Sequence, residues 1–278
     1  MLAFRTFIRR ASNITALSYQ ARPSNPKTGR ALLVENWKAP NCDFVVNVEI
    51  ARPDDFELVR GFMLNESRTQ EAVISTQNSS KNEIDLFLTQ MAHRSTVTPT
   101  TALMFKDTEL IGMVAGSVNE LPKKREKEEF HLPPDMKELI DKAEGNSRKE
   151  KRIYALCALF FQIIPSHIEL EHKYYICGEL SGIVRKYQNR KLLLPVTQLL
   201  AEYYAKSGFS YIDTICTSAA MRHVVSLLGL EPLHEVRYDQ FLDDGERCFG
   251  EPEDGGEICT LMLGNFNKMG FTVAKPYK

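Results

Sequence analysis

Side chains able to bind an anion cluster in the stretch KYQNRKLLLPV, residues 186–196. Gln188, Arg190 and Lys191 carry hydrogen-bond donors, and a predicted helix begins directly after them. The N-terminus of a helix binds anions through its unpaired backbone N–H groups and its dipole. The stretch contains no glycine, so an approaching phosphate would meet Cβ atoms at the backbone. The residues alone leave two interpretations open: an anion-binding turn with altered chemistry, or an ordinary strand-to-helix connection.

Metal-binding spacings do not occur among the six cysteines and six histidines. The sequence has no C-x-x-C pair and no H-E-x-x-H motif, which are the local spacings of common zinc sites. Several cysteines lie in apolar runs such as YALCALFF, where a free cysteine packs as a small hydrophobic residue. We therefore predict no metal site and a reducing, intracellular environment.

The first half of the chain predicts a strand, two helices and a hairpin. Residues 43–51, DFVVNVEIA, alternate apolar and polar side chains as a strand does. One helix is predicted after Pro53 and another after Ser80, which forms a capping-box pattern with the glutamate three residues later. Two short strands then flank a turn at Asp107. Residues 121–152 are dense in both charge signs and indicate a solvated loop with a short helix.

The second half has the clearest periodicity and surrounds the turn of residues 186–196. Apolar residues recur at helical spacing after the turn, and serine and glycine stand where caps are expected. The complete order predicts a mixed α/β sheet in three layers. The elements predicted here are a buried helix over 153–164, a strand over 173–184, a helix ending at Ser207-Gly208, a strand over 210–217, a helix capped by Ser218, and strands over 234–241 and 257–263.

Composition and net charge are those of a globular domain. The chain has 278 residues, 43% apolar and 26% charged, with a formal net charge of -1. No basic stripe interleaved with aromatic residues occurs, so we do not expect nucleic acid as a partner. The longest apolar run, residues 153–164, is too short for the roughly 18 residues that a membrane span needs.

The first 34 residues contain six basic residues and no acidic one, since the first acid is Glu35. An arginine-containing start without acids is typical of a mitochondrial presequence, and a disordered basic tail has the same composition. Both interpretations remain open. They place the protein in the mitochondrial matrix or in the cytoplasm, respectively.

The segment from Gly182 to Tyr238 resembles the GNAT superfamily of acyl-CoA-dependent acetyltransferases, most closely the animal arylalkylamine N-acetyltransferase branch. In that branch a strand runs into a turn of the type Y-R-G-R-G-I-G, and a later segment reads T-S-A-x-S-A-x-I-F-x-K-L-G-F. Here the turn is YQNRKLL, residues 187–193, and the later segment is TSAAMRHVVSLLGL, residues 217–230.

The resemblance implies a three-layer α/β/α fold, of the α/β (α+β) class, around a central mixed and mostly antiparallel sheet. This domain would cover residues 43–265, with residues 121–152 as a charged insertion. Residues 1–34 and 266–278 would be tails outside the fold.

Acetyl-CoA is the co-substrate that the resemblance implies, with its pyrophosphate at the turn and its pantetheine arm along the preceding strand. Lys191 and Leu193 occupy the two positions where the family has glycine, so the sequence departs from the family pattern there. Side-chain charge at Arg190 and Lys191 is then expected to replace part of the backbone cradle. The residues that the resemblance assigns to acetyl-CoA are Ile183, Val184, Gln188, Arg190, Lys191, Leu192 and Leu193.

A catalytic base is also implied by the resemblance. The arylalkylamine branch carries a glutamate shortly after its first helix, in a pattern like F-x-x-x-E-P-L, which accepts the proton of the amine. The matching place in this sequence is Glu71, although the following proline is missing. The simpler interpretation of Glu71 is a solvent-facing helix residue.

Two functions are consistent with these features. The first is an acetyl-CoA-dependent N-acetyltransferase acting on a small primary amine, with Glu71 as base. The second is a binding or regulatory protein of the same fold that has lost acetyl-CoA. The sequence does not identify the amine or the oligomeric state.

Overall fold

The computed structural model describes residues 22–125 and 129–269, which form an eight-stranded sheet and a separate two-stranded hairpin. β8 and β9 form the hairpin, and the other strands form the sheet. The strands are β1 (Leu32–Trp37), β2 (Val46–Ile50), β3 (Ala102–Lys106), β4 (Glu109–Glu120), β5 (Tyr174–Ile183), β6 (Tyr211–Cys216), β7 (Glu231–Arg237), β8 (Leu242–Asp243), β9 (Glu246–Arg247) and β10 (Ile258–Asn265).

The large sheet has the order β1-β2-β3-β4-β5-β6-β10-β7. β5 and β6 pair in parallel, and every other neighbouring pair is antiparallel. The predicted mixed, mostly antiparallel sheet is therefore confirmed. Asp107 and Thr108 join β3 to β4, and Asp107 has the positive φ of 52° that tight hairpin turns require.

Two short helical segments precede Glu71 and matter for the site. Met63–Ser67 is a π-helical stretch, and Arg68–Gln70 is a further helical turn that leads to Glu71. The helices are α1 (Phe56–Phe62), α2 (Ala72–Ser75), α3 (Asp85–Val97), α4 (Lys137–Lys142), α5 (Arg148–Phe161), α6 (Leu193–Lys206) and α7 (Ala219–Leu227).

Helices cover both faces of the sheet, which confirms the three-layer prediction. On one face, α1 to α5 bury side chains such as Leu88 and Phe160 against β3, β4 and β5. On the other face, α6 and α7 bury side chains such as Val196 and Val225 against β2, β4 and β5. Each face thus has its own apolar core, and β4 and β5 lie between the two cores.

The prediction that residues up to 34 lie outside the fold is wrong for the residues nearest the domain. Leu32–Trp37 is an edge strand paired with β2, and Leu32 and Leu33 are buried. Arg30 anchors the entry to this strand, because its guanidinium contacts Glu49 at 3.1 Å and Asp55 at 2.6 Å. The possible presequence falls mainly on residues 1–21, which lie outside the described residues, and it stays a prediction.

The other two predicted boundaries also change. Phe266 and Met269 are buried against the α6 and α7 core, so the fold continues past residue 265. In the charged region 121–152, Glu150 is fully buried, and its carboxylate accepts the amides of Phe87 and Asn146 at 2.7 Å each. Part of that region therefore belongs to the packed fold, although its density of charged residues had predicted a solvated loop. Within residues 22–125 and 129–269, no helix is long and apolar enough to cross a bilayer.

Candidate active site

β5 and β6 separate midway along β5. Their parallel pairing covers only Ile176 to Gly178, opposite Ile212 to Thr214. β5 continues to Ile183 with β4 as its partner on the other side, so its edge beyond Gly178 faces β6 without a strand partner. A free strand edge can hydrogen-bond an extended chain of amides. The pantetheine arm of acyl-CoA is such a chain.

A cavity of about 240 Å³ opens beside this gap. The segment before α2, the helices α3 and α5, the strand β5 and the end of β6 contribute its walls, and most of the lining side chains are apolar. The charged residues in the lining are Glu71, Arg94, Glu144 and Glu179. An apolar cavity with a few convergent polar groups is the usual form of a small-molecule site.

Glu71 is held in the cavity wall by two hydrogen bonds. The backbone leaves the helical region at this residue (φ −70°, ψ 128°), which lets the side chain cap α2. One carboxylate oxygen accepts the amide of Ile74 at 2.8 Å, and the other accepts the hydroxyl of Thr217 just beyond β6. Tyr238 in turn donates its hydroxyl to the carbonyl of Thr217 at 2.5 Å. Glu71 is therefore a positioned cavity residue, and the interpretation as a solvent-facing helix residue is wrong.

Burial raises the pKa of Glu71 above the ordinary glutamate value, although the hydrogen bonds from Thr217 and Ile74 act in the opposite direction. Ionising a carboxyl group in apolar surroundings is unfavourable, so the group holds a proton more tightly than it would in water. A carboxylate with a raised pKa is a stronger proton acceptor. The environment of Glu71 thus suits general-base chemistry as well as helix capping.

The turn at residues 188–193 has the backbone shape of an anion-binding loop. Asn189 and Lys191 have positive φ values of 60° and 56°, whereas Leu192 is right-handed helical. Adjacent residues of opposite helical hand direct successive N–H groups into one concavity, which binds anions. Within the described part of the chain, the amides of residues 189–194 donate to no protein acceptor. Lys191 therefore keeps the conformation that glycine favours, and it adds a Cβ at that point.

Leu193, the second position where the family has glycine, is the first residue of α6 and takes an ordinary helical conformation. Leu192 is 2% exposed and packs in the core beneath the turn. Both residues can offer an anion only their backbone amides. Pro195, two residues into α6, has no amide to offer.

Arg190 does not point its charge at the turn. Its guanidinium contacts the carbonyl of Asn41 at 3.4 Å and the carboxylate of Asp43 at 3.6 Å, and it stacks over the ring of Phe44. These partners draw the Arg190 guanidinium toward the segment before β2, and the expectation that Arg190 and Lys191 jointly supply the charge stays a prediction. Lys191 is exposed and is the basic side chain of the turn that remains for an anion.

The other predicted cofactor residues lie between the turn and the gap. Ile183 ends β5 beyond the last pair with β6, and Val184 donates its amide to Ile111. Gln188 donates to the side chain of Gln70 at 2.5 Å and to the carbonyl of Ile183 at 3.4 Å. Since Gln70 precedes Glu71 directly, this contact links the turn to the segment that carries the candidate base.

The arrangement fits an acyl-CoA at the strand edge and less closely at the turn. The free edge of β5 and Glu71 border the gap, and the amides of residues 189–194, which have no acceptor among the described residues, follow the end of β5 along the chain. Lys191 places a Cβ where the family has none. The residues therefore suit the pantetheine arm directly, and the pyrophosphate only through amides supplemented by one lysine.

Sequence reasoning missed the ion pair in the cavity. Arg94 on α3 and Glu179 on β5 form two hydrogen bonds of 2.8 and 2.9 Å. They are 85 residues apart, and no local spacing connects them. Thr217 was noted only as the start of a family-like segment, although its hydroxyl contacts Glu71. For metals, no group of three or more potential ligands occurs in residues 22–125 and 129–269.

Comparisons with known proteins agree with this architecture. No protein-family model and no curated protein matches the sequence. Among solved structures, arylalkylamine N-acetyltransferase 2 from Aedes aegypti has a TM-score of 0.63 at 15% identity, covering 80% of this chain and 99% of that one. Mosquito arylalkylamine N-acetyltransferase like 5b gives 0.60 at 18%, covering 79% and 99%.

A polyamine N-acetyltransferase from Drosophila melanogaster is also similar, with a TM-score of 0.59 at 14% identity, covering 79% of this chain and 99% of that one. At these identities the similarity establishes the fold. The chain therefore has the GNAT acetyltransferase fold in the form found in arylalkylamine N-acetyltransferases.

Proposed function

We propose that the protein is an acetyl-CoA-dependent N-acetyltransferase that acts on a small primary amine. The observation that carries this proposal is the position of Glu71: its carboxylate lines an apolar cavity beside the gap between β5 and β6, accepts the hydroxyl of Thr217, and has a pKa raised by burial, all of which support a role as proton acceptor. The acetyltransferase neighbours share this fold.

The reaction forms an N–C bond and breaks the C–S bond of the thioester. The amine attacks the acetyl carbonyl, and its proton passes to the carboxylate of Glu71, directly or through water. The electron pair of the C–S bond leaves with the sulfur, and the CoA thiolate takes up a proton from water or from the protonated Glu71, so the products are the N-acetylamine and CoA thiol. The free edge of β5 would hold the pantetheine arm by backbone hydrogen bonds. The apolar lining would exclude bulk water and lower the fraction of amine that stays protonated.

The test is Glu71→Gln. In the variant, the glutamine oxygen can accept the amide of Ile74, and its NH₂ group can donate to the hydroxyl of Thr217, so the fold has the partners it needs. We expect acetyl transfer to fall by about 100-fold to 10,000-fold while acetyl-CoA binding persists. Glu66→Gln is the matched control, because Glu66 lies on the preceding turn and is absent from the cavity lining. Equal turnover in both variants would contradict the assignment.

The pH dependence gives a second readout of Glu71. Because its folded pKa is raised, wild-type kcat/KM should increase with pH above the ordinary range of glutamate, and Glu71→Gln should lose that limb. The free energy of unfolding should change with pH in the opposite direction. Between the unfolded and the folded pKa of Glu71, the folded state binds a proton that the unfolded state has released. Wild-type stability therefore falls as the pH rises through this range, and the glutamine variant should not show that fall.

A second function is favoured by a different observation. The basic residues around the turn are engaged by acids: Arg185 with Glu253 at 3.2 Å, Lys186 with Glu109 at 2.6 Å, and Arg190 with Asp43. A protein of this fold that no longer binds acetyl-CoA would not require these basic side chains to be available for a phosphate. Isothermal titration with acetyl-CoA distinguishes the two functions, because the second predicts no binding at concentrations where the first saturates.

A further inference from the structure

We propose that residues 250–257, which we name the strap, close the gap between β5 and β6 into a ring and open to admit acyl-CoA. This inference rests on the proposed function and adds a gate to its cofactor site. The strap follows the β8–β9 hairpin and leads to β10. Its sequence is GEPEDGGE, with four acidic residues and no basic one.

Without the strap, the gap has walls on three sides. Gly178 and Thr214 form its base, because they are the last residues that β5 and β6 pair. Beyond this base, β5 continues to Ile183 on one side, and β6 leads through Thr217 to α7 on the other. Parallel strands have their carboxyl ends at the same edge of a sheet. The gap would therefore be open toward that edge.

The strap bridges this open edge. On the β5 side, the carboxylate of Glu253 accepts two contacts from Nη2 of Arg185, at 3.2 and 3.3 Å, and Arg185 follows β5 by two residues. On the β6 side, the carboxylate of Asp254 accepts the amide of Ala220, in the first turn of α7, at 3.2 Å. Since Glu253 and Asp254 are neighbours in the chain, one short segment connects the end of one strand to the end of the other.

The ends of the strap are fixed more firmly than its middle. Phe249, directly before it, is 1% exposed, and the carbonyl of Glu257 at its other end accepts the amide of Tyr238 at 2.9 Å. In the middle, the side chains of Glu253 and its partner Arg185 are 79% and 62% exposed. Ion pairs between side chains this exposed contribute little to stability. The strap can therefore open in its middle while both of its ends stay in place.

The charges favour the closed position of the strap. Arg185 is permanently cationic, and Ala220 lies at the N-terminus of α7, where the helix dipole is positive. Both therefore attract the carboxylates of Glu253 and Asp254. Gly255 has a φ of 71°, and no atom lies within 4 Å of the position of its Cβ, so the backbone can turn there without a steric contact. The strap is closed by favourable contacts that are weak enough to break during binding.

A closed strap limits how acyl-CoA can enter the gap. The free edge of β5 inside the ring is the proposed site of the pantetheine arm. While the ring is closed, the arm can enter only lengthwise, with the acyl group first, which is a demanding orientation for a flexible chain and lowers the association rate. When the strap opens, the whole arm can enter from the side. When the strap closes again over the arm, dissociation becomes slower. The strap therefore acts on both binding rates.

Stopped-flow binding of acetyl-CoA to the wild type and to the double variant Glu253→Ala with Asp254→Ala tests the gate. In the wild type, the observed rate should level off with increasing acetyl-CoA concentration, at the rate of strap opening. In the variant, it should stay linear over the same range. Because each of the two lost contacts contributes little, the association and dissociation rates of the variant should both rise by about 3-fold to 10-fold.

The matched control is the double variant Glu246→Ala with Glu251→Ala. Glu246 lies on β9 and Glu251 near the start of the strap, and neither contacts Arg185 or α7 among the described residues. The control removes the same amount of negative charge near the cofactor site. Loss of that charge alone speeds the association of an anion and does not speed its dissociation. Faster dissociation in the first variant alone is therefore specific to the contacts of the strap.

Amide hydrogen exchange of Ala220 gives a second measurement, which needs no turnover. Its N–H lies in the first turn of α7, where the helix itself provides no acceptor, so Asp254 of the closed strap protects it. Exchange should be slower in the wild type than in the variant that lacks Glu253 and Asp254. Bound acetyl-CoA should slow it further in the wild type, because the strap closes over the arm.

Four results would overturn the inference. They are linear observed rates in the wild type, equal rates in the two double variants, exchange of Ala220 that acetyl-CoA accelerates, and no binding of acetyl-CoA to either the wild type or the strap variant. Binding by the strap variant alone would support the inference, because the closed strap then excludes the cofactor. Gated binding without acetylation of any amine would refute the proposed function and leave the strap as described, and acetylation with ungated binding would do the reverse.

Discussion

Lys191 allows the conformation of the turn and its charge to be separated in one experiment. Its φ of 56° lies in the left-handed region, where a residue with a Cβ is less stable by about 1 to 2 kcal/mol. Glycine removes that strain but has more freedom in the unfolded chain, which costs about 0.5 to 1 kcal/mol. The difference predicts that Lys191→Gly is more stable than Lys191→Ala by about 1 kcal/mol, or roughly 2 to 4 °C in Tm.

The same pair of variants tests anion binding. Both variants remove the charge of Lys191. Only the glycine variant also removes the Cβ of residue 191, which lies beside the backbone amides of residues 189–194. Lys191→Ala should weaken acetyl-CoA binding by about 1 to 2 kcal/mol, which is about 5-fold to 30-fold, and raised salt should weaken the wild type. Lys191→Gly should recover part of that loss. A Leu193→Gly change should recover none, because Leu193 is already helical and glycine would only weaken the start of α6.

Urea unfolding and isothermal titration of the wild type and these variants measure both quantities. Equal stability of Lys191→Ala and Lys191→Gly would refute the strained conformation. Acetyl-CoA affinity that is unaffected by either change would show that the turn does not contact the pyrophosphate, and the analogy with the family turn would fail there.

Two further predictions concern the core beneath the site. Gly178→Ala should destabilise the protein by about 1 to 3 kcal/mol in urea unfolding and should reduce acetyl-CoA affinity. The reason is that the new Cβ would lie 3.0 Å from the Cβ of Thr214, where β5 and β6 separate. Gly61→Ala in α1 is the control, and it should be neutral or stabilising because no atom lies within 4 Å of the position of its Cβ. Asp213 is fully buried, and burial raises its pKa, so its folded form keeps a proton that the unfolded chain releases, and wild-type stability should fall as pH rises above the unfolded carboxyl pKa. Asp213→Asn should lack that fall, and parallel pH profiles of the two proteins would contradict the prediction.

Elements with local signals were predictable from the sequence. Ser218 caps α7 by accepting the amide of Met221, as its position predicted, and Gly229 follows the helix with a φ of 91°. β1 was missed because its regularity is poor: two register shifts interrupt its pairing with β2, and Asn36 has a positive φ of 50°. The basic residues around it also belong to the composition of the tail, and the Arg30 contacts that fix its entry join positions 19 and 25 residues apart.

The residues of the candidate site also differ in whether a local sequence signal predicts them. Glu71 was found through a short pattern after a helix, which survives as a sequence signal because the capping of α2 and the cavity position need the same residue. Arg94 and Glu179 have no such signal, because only the packing of α3 on β5 brings them together. The orientation of Arg190 was equally hidden, since its partners Asn41 and Asp43 lie about 150 residues earlier.

The two proposed functions differ in what they require of Glu71. A buried carboxyl with a raised pKa lowers stability at neutral pH, by about 1.36 kcal/mol for each unit between its folded and unfolded pKa. As a cap for α2, a serine or threonine at this position would offer its hydroxyl oxygen to an amide of the first turn without that cost. A protein that had lost acetyl-CoA would therefore gain stability by replacing Glu71, whereas an acetyltransferase needs the carboxylate. The glutamate, its contact from Thr217 and the link from Gln188 through Gln70 together favour the enzyme.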